Sequence, residues 1–248
     1  MSCAQPARYA AMSDQQGNAG TPPVVARELQ KIVSALLHAL AGPLQTIDGF
    51  SLILQEDYSD RPLDLEGWEH LQRIRNDAAR MRMLLDDLSH YLQILTAEAD
   101  LEWVDASALA QEIAHRLKRD EPERDVQWQI EPGIMVYADQ SLLRQALEQL
   151  LQNAWKFSRD RTPACIEIGT SGPARQELFV RDNGVGFNPK YSNNLFIPFK
   201  RLHHHTEFAG TGMGLSIVQE IMRRHHGTVV AASAPGSGAT FTLHFPAS

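Results

Sequence analysis

The sequence predicts a chain in two parts: an N-terminal helical hairpin that forms a dimeric four-helix bundle, followed by a two-layer α/β sandwich. Three observations carry this. Leu29, Ile32, Leu36, Leu40, Leu44, Ile47 and Leu54 are spaced 3, 4, 4, 4, 3 and 7 apart, close to the helical period. Leu71, Ile74, Ala78, Met81, Leu85, Leu88, Leu92 and Leu95 alternate spacings of 3 and 4 without a fault, which is a heptad seam. Beyond Asp100, short strand-like runs alternate with helical patterns.

Taken in order, residues 1–23 are rich in Ala, Ser, Gln, Gly and Pro with little periodicity, and a disordered tail is expected there. A long amphipathic helix follows from about Val25 to Asp57, until "YSDRPLDLEG" breaks it. His38 lies about 180° from its apolar stripe and is expected to face solvent. The seam from Leu71 to Leu95 forms the second helix. A lone hairpin has too little mass to bury two such stripes, so two hairpins are expected to pair, making residues 24–100 a homodimerisation unit. A bundle within one chain, or a hairpin folded onto the second part, is the alternative. In residues 101–248, "LEWVD", "VQWQI" and "GIMVYAD" read as strands, and Ala106–Lys118 and Gln140–Phe157 as helices. "ACIEIGTSG" with "QELFVRDNG" reads as a hairpin, Gly214 to about His226 as a helix, and "GTVVAASAPGSGATFTLHF" as a closing hairpin. Helices with antiparallel strands in this order predict the sandwich.

Composition narrows the function classes. With 248 residues, 43% hydrophobic and 21% charged, the chain is an ordinary globular one, long enough for two modest domains. Its net charge of -7 and lack of a basic run with interleaved aromatics argue against a nucleic-acid partner. Cys3 and Cys165 are too few and too far apart for a disulfide framework. There is no signal-like apolar start and no window near the roughly eighteen apolar residues a membrane span needs, so a cytoplasmic setting without membrane insertion is expected.

Three stretches carry candidate chemistry. In "QNAWKFS", Asn153 and Lys156 are three apart on one helix face, an oxygen donor beside an ammonium, which suits a nucleotide phosphate with Mg²⁺; an Asn capping a loop is the plainer reading. "RDNGVGF" puts Asp182 before Gly184 and Gly186, so a carboxylate able to accept from an exocyclic amine such as adenine's sits where backbone can approach closely; a tight turn explains the same residues. "GTGMGLSI" runs Gly210, Thr211, Gly212 and Gly214 into a helix, where backbone N–H groups can face an anion, a flexible hinge being the alternative. The third glycine spacing is not that of a dinucleotide fingerprint, and neither a Walker-type phosphate loop nor eukaryotic kinase motifs occur. The run His203–His205 is not read as a metal site, because consecutive residues of a regular element do not converge on one ion.

Read in order, "LLHALAGPLQTIDGF", "LEQLLQNAWKFS", "VRDNGVGF", "LFIPFKRLH", "GTGMGLSI" and "GSGATF" resemble the successive boxes of a bacterial two-component sensor histidine kinase transmitter. "NPKYSNNLFIPFKRLH" is most similar to transmitters of phytochrome-type and related receptors, and light sensing is not expected to carry over with the resemblance. The resemblance implies an ATP-binding sandwich domain with ATP and Mg²⁺ as ligands, and His38 as phosphoacceptor. It implies Asn153 as Mg²⁺ ligand, Lys156 as a phosphate contact and Asp182 as the adenine-reading carboxylate. Gly184 and Gly186 would floor the base pocket, while Gly210, Thr211, Gly212 and Gly214 would approach the phosphates. Phe196 and Phe199 would belong to a lid, Arg201 would touch phosphate, and Thr240 would place a hydroxyl beside adenine. The implied partners are a second copy of the chain, a separate response-regulator receiver domain, and a separate sensor or partner kinase.

Three positions depart from the family pattern: Ala39 stands where an acidic residue usually follows the phosphoacceptor, Gly42 where Thr or Asn often places a water, and Gln149 where an Asn is common. Two functions follow: an ATP-dependent histidine autokinase, or a weakly active regulatory protein that docks a receiver or pairs with another kinase. An anti-sigma-type serine kinase shares the ATP boxes but lacks the hairpin with its histidine box.

Overall fold

The computed structural model of the chain describes residues 23–57, 65–172, 177–200 and 210–246. They form two units, one reaching Gln93 and the other beginning at Ile94. Residues 1–22 of the expected tail, Arg201 and His203–His205 lie outside the described residues, as does the side chain of His38.

The first unit is a helical hairpin of α1 (Pro23–Asp57) and α2 (Leu65–Ile94). The helices run antiparallel: Arg75 hydrogen-bonds Gln55, while Arg82 Nη2 meets Asp48 Oδ2 at 2.7 Å. Leu44 and Ser51 of α1 and Leu71 and Ala78 of α2, each pair seven residues apart, are buried between them. Other described residues of the two stripes are not. Leu40, Ile47 and Leu54, again at heptad spacing, and Ile74 and Met81 are between 42% and 51% exposed. One neighbouring helix covers only one flank of a stripe this wide.

The second unit has two layers. Its main sheet has five strands in the order β2 (Val126–Ile130), β4 (Ala164–Ser171), β5 (Glu177–Asp182), β7 (Ala239–His244) and β6 (Thr228–Ser233). Three helices, α3 (Ala106–Asp120), α4 (Gln140–Phe157) and α5 (Gly214–Arg224), supply the second layer. Asp105 caps α3 by accepting from Ala108 N at 2.9 Å, and Asp139 caps α4 by accepting from Leu142 N at 3.0 Å. The core lies between the layers, with Ile113, Leu147, Leu150, Ile217 and Ile221 from the helices meeting Ile166, Ile168, Leu178, Val180 and Leu243 from the sheet. At the far end of α5, His225 accepts from Asp139 N through Nε2 at 2.9 Å and lies 2.8 Å from Ile221 O through Nδ1, so the imidazole ties that end to the start of α4.

The strands are not all antiparallel, as the sequence suggests. β2 and β4 pair in parallel, because α4 carries the chain back across the sheet between them. β1 (Glu102–Asp105) and β3 (Met135–Ala138) form a separate two-stranded sheet, with Trp103 opposite Tyr137. A short 3-10 helix, Pro189–Asn194, starts where the Asn188 side chain accepts from Lys190 N at 3.0 Å. Among the described residues no helix is long and apolar enough to cross a membrane.

Candidate functional site

Along β5 the burial alternates, with Leu178, Val180 and Asp182 facing the helices and Glu177, Phe179 and Arg181 facing away. Asp182 therefore takes a position where the pattern calls for an apolar side chain, and it is only 7% exposed. Its Oδ1 accepts from Gly184 N at 2.8 Å and from Ala239 N at 3.3 Å. Oδ2 takes no hydrogen bond from the described residues. Burial pushes the carboxyl up from 3.8 to about 6, against the pull of the two N–H groups. At neutral pH the group is thus an ionised acceptor in an apolar wall, with one oxygen left for an incoming donor.

The glycines around it are required by close backbone approach. A Cβ on Gly184 would run into the Phe157 carbonyl and come within 2.8 Å of Asp182 Oδ1. A Cβ on Gly238, at φ +78°, would run into the Asp182 carbonyl oxygen. Val185 N donates to Phe157 O at 3.0 Å, which pins the loop after β5 to the end of α4. That end is itself fixed: Trp155 stacks on Trp128 with ring centroids 6.0 Å apart, and the Arg124 guanidinium lies over Trp155 at 4.2 Å.

Asn153 and Lys156 sit half-buried on this last stretch of α4. The Lys156 ammonium lies 4.2 Å over the Phe157 ring and 3.6 Å from where a Cβ on Gly210 would stand, so the structure brings Lys156 and the glycine-rich segment together. Gly210 and Gly212 have φ of +135° and +85°. A Cβ on Gly214 would strike Gln149 Oε1, so the first residue of α5 packs directly on α4. Met213, at the N-cap of α5, makes no side-chain capping bond. The first N–H groups of that helix therefore lack a side-chain acceptor from the cap, a ready anion site. Thr211 Oγ1 accepts from Met213 N at 3.3 Å, shaping the turn into the helix.

Thr240 is not brought to Asp182, contrary to the expectation from the sequence. It pairs with Arg181 across β5 and β7, and its Oγ1 accepts from Arg181 Nε at 3.3 Å on the face of the sheet away from the helices. The residue on the Asp182 face is Ala239, which contributes only its backbone N–H. Alternation in "ATFTLH", with Ala239, Phe241 and Leu243 inside, carries the signal that box matching misses. Gly238 and the Ala239 N–H lie inside the "GSGATF" box, where the sequence gives a role to Thr240 alone. Phe196 is half-buried and Phe199 exposed, the latter at φ +63°.

The family described as histidine kinase-, DNA gyrase B- and HSP90-like ATPases matches residues 138–248, the stretch that holds Asn153, Lys156, Asp182 and the glycine-rich segments. The chain is of the histidine kinase transmitter type. This transmitter is 30% identical over 219 residues to the phytochrome-like protein Cph1 of Synechocystis sp., covering 88% of the chain and 29% of the relative. It is 30% identical over 220 residues to the sensor histidine kinase YkoH of Bacillus subtilis, covering 87% of the chain and 47% of the relative. The transmitter thus spans less than half the length of either relative. The full-length structure of ShkA, solved in complex with AMPPNP, shares its fold with a TM-score of 0.61 at 23% identity, covering 88% of the chain and 47% of ShkA.

Proposed function

We propose that the chain is a cytoplasmic histidine autokinase of a two-component pathway, which binds Mg·ATP in the second unit, transfers the γ-phosphoryl group to His38, and passes it to an aspartate on a separate receiver domain. The observation that carries the nucleotide site is Asp182, a buried carboxylate with one occupied and one open oxygen. Adenine offers the matching donor, an exocyclic amine, while the close approach of the Gly184 and Gly238 backbones fixes the carboxylate that would accept it. The uncapped start of α5, the Gly210–Gly214 segment and Lys156 gather on the phosphate side. A protein relative in fold, ShkA, was solved with an ATP analogue.

Asn153 and Lys156, half-buried and three apart on α4, would suit a magnesium-bound nucleotide, the amide offering a hard oxygen donor and the ammonium a positive charge. The ion would neutralise developing charge on the phosphate oxygens. Asn153 would hold it, Lys156 would hold the phosphates, and α5 would orient them. The His38 imidazole, neutral, would attack the γ-phosphorus with a nitrogen lone pair as the bond to the β,γ-bridging oxygen breaks and ADP leaves. The imidazole proton would then pass to water, since Ala39 offers no base.

Ala39 and Gly42 favour a second reading, a slow kinase that acts chiefly by docking a receiver or pairing with another kinase. Incubation with γ-labelled ATP and Mg²⁺ separates the two. Acid-labile label is expected on the wild type and none on His38→Ala, and Ala39→Glu is expected to raise the rate at least tenfold, since a positioned acid-base group is commonly worth about 10² to 10⁴. Label on His38→Ala would sink the assignment of the phosphoacceptor. An unchanged rate in Ala39→Glu would mean that another group handles the proton.

A further inference from the structure

Arg161 lies just beyond α4 and outside every motif. Its backbone is fixed by Arg161 N donating to Ser158 O at 3.0 Å. Its side chain reaches two loops at once: Nη2 donates to Gly184 O at 3.0 Å and to Gly236 O at 2.7 Å. One terminal guanidinium nitrogen carries two hydrogens, so both bonds are made together. The two carbonyl oxygens belong to the loop that follows Asp182 and to the turn that precedes Ala239, the two segments whose N–H groups hold Asp182 Oδ1.

The same two segments are laced to each other. Gly236 N donates to Val185 O at 2.7 Å, Phe187 N donates to Ser233 Oγ at 2.8 Å, and Ser233 Oγ donates to Gly238 O at 2.6 Å. The first two bonds join the loop to the β6–β7 hairpin and the third runs within that hairpin, whereas the bond from Val185 N to Phe157 O and the Arg161 guanidinium join the pair to the end of α4. Without the guanidinium, the carbonyls of Gly184 and Gly236 lose a shared donor and their like ends of the peptide dipole face each other unscreened.

We propose that Arg161 is a positioning residue for base recognition, clamping the Gly184 loop and the Gly236 turn to α4 so that Asp182 Oδ1 stays occupied and Oδ2 stays aimed at the amine of the base. This rests on the adenine reading of Asp182. It assigns Arg161 to selectivity between purines and not to phosphate binding, which a charge near a nucleotide site would otherwise suggest.

The test is equilibrium binding of ATP and of inosine triphosphate, which lacks the exocyclic amine, to the full chain and to Arg161→Met and Arg161→Lys, with folding checked by circular dichroism. The wild type is expected to prefer ATP by about tenfold or more, the value of one well-placed hydrogen bond to a charged group. In Arg161→Met the preference is expected to fall to within about threefold of unity while inosine triphosphate binds much as before, and Arg161→Lys is expected to recover part of it. A preference that survives in Arg161→Met, including one where both nucleotides weaken together, overturns the positioning role and leaves the nucleotide site standing. A wild type that binds ATP without preferring it overturns the role of Asp182 and that of Arg161 together. Should Arg161→Met not fold, Arg161→Gln, which keeps a donor for one carbonyl, carries the same comparison.

Discussion

Asp182 sets stability against binding. Its folded pKa of about 6 lies above the ordinary 3.8, so the group favours the folded state below about pH 4, and that advantage is lost as pH rises through 6. Above pH 6 the ionised carboxylate costs the fold about 3 kcal/mol relative to a group that does not titrate. Asp182→Asn keeps an oxygen for the Gly184 and Ala239 N–H groups and removes the buried charge. It is expected to stabilise the second unit by about 1 to 3 kcal/mol at pH 7.5 and to give little or no gain at pH 4, read by urea denaturation at both pH values. An equal effect at the two pH values would show that desolvation of the charge is not its origin. The strand-end place of Asp182 and the shared helix of Asn153 and Lys156 are legible in the sequence from residue type and spacing. Thr240 is not, because a box counts positions while a strand assigns alternate positions to opposite faces. Arg161 gives no signal at all, since both its partners are backbone carbonyls and no side-chain pattern announces them.

At the level of elements, the same substitution has opposite signs in α1 and in the turn before β7. Gly49 lies inside α1 with nothing within 4 Å of where a Cβ would be, so Gly49→Ala removes only the backbone entropy cost of glycine in a helix. It is expected to stabilise the hairpin by about 1 kcal/mol. Gly238, at φ +78° and against the Asp182 carbonyl, has neither the space nor the dihedral angle for alanine. Gly238→Ala is expected to destabilise the second unit by more than about 2 kcal/mol and to abolish nucleotide binding. Calorimetric unfolding of both variants checks the pair. Helices are legible because a 3- and 4-residue spacing has one structural meaning: four of the five lie close to their expected bounds, while α2 begins at Leu65, six residues before the seam and inside the stretch expected to break the helix. Strand direction is not, because alternation reads the same in parallel and antiparallel pairs; only the crossover through α4 makes β2 parallel to β4.

For the whole molecule, five described residues of the heptad stripes stand exposed and call for a cover. Leu40, Ile47 and Leu54 on α1 and Ile74 and Met81 on α2 present two exposed apolar ridges of the same period on one hairpin. Such a surface is complementary to itself under a two-fold axis, since each helix offers the ridge spacing that the other requires. A second copy of the chain is therefore the occupant we propose. Each of these half-exposed side chains gains about 1 kcal/mol when covered, and symmetry doubles every contact, so the dimer is expected to persist at micromolar concentration. Ile47→Glu places a carboxylate on the exposed ridge of each copy, within the proposed interface. It is expected to weaken association by at least about a hundredfold, because two charges lose water without gaining partners. The isolated hairpin should tolerate it, since Ile47 is not among the residues buried between α1 and α2. Sedimentation equilibrium decides it: the wild type is expected at twice the chain mass of 27.7 kDa and Ile47→Glu at the chain mass, with unchanged helical content by circular dichroism. A wild-type monomer at tens of micromolar would refute the dimer and leave the exposed ridges to a different partner.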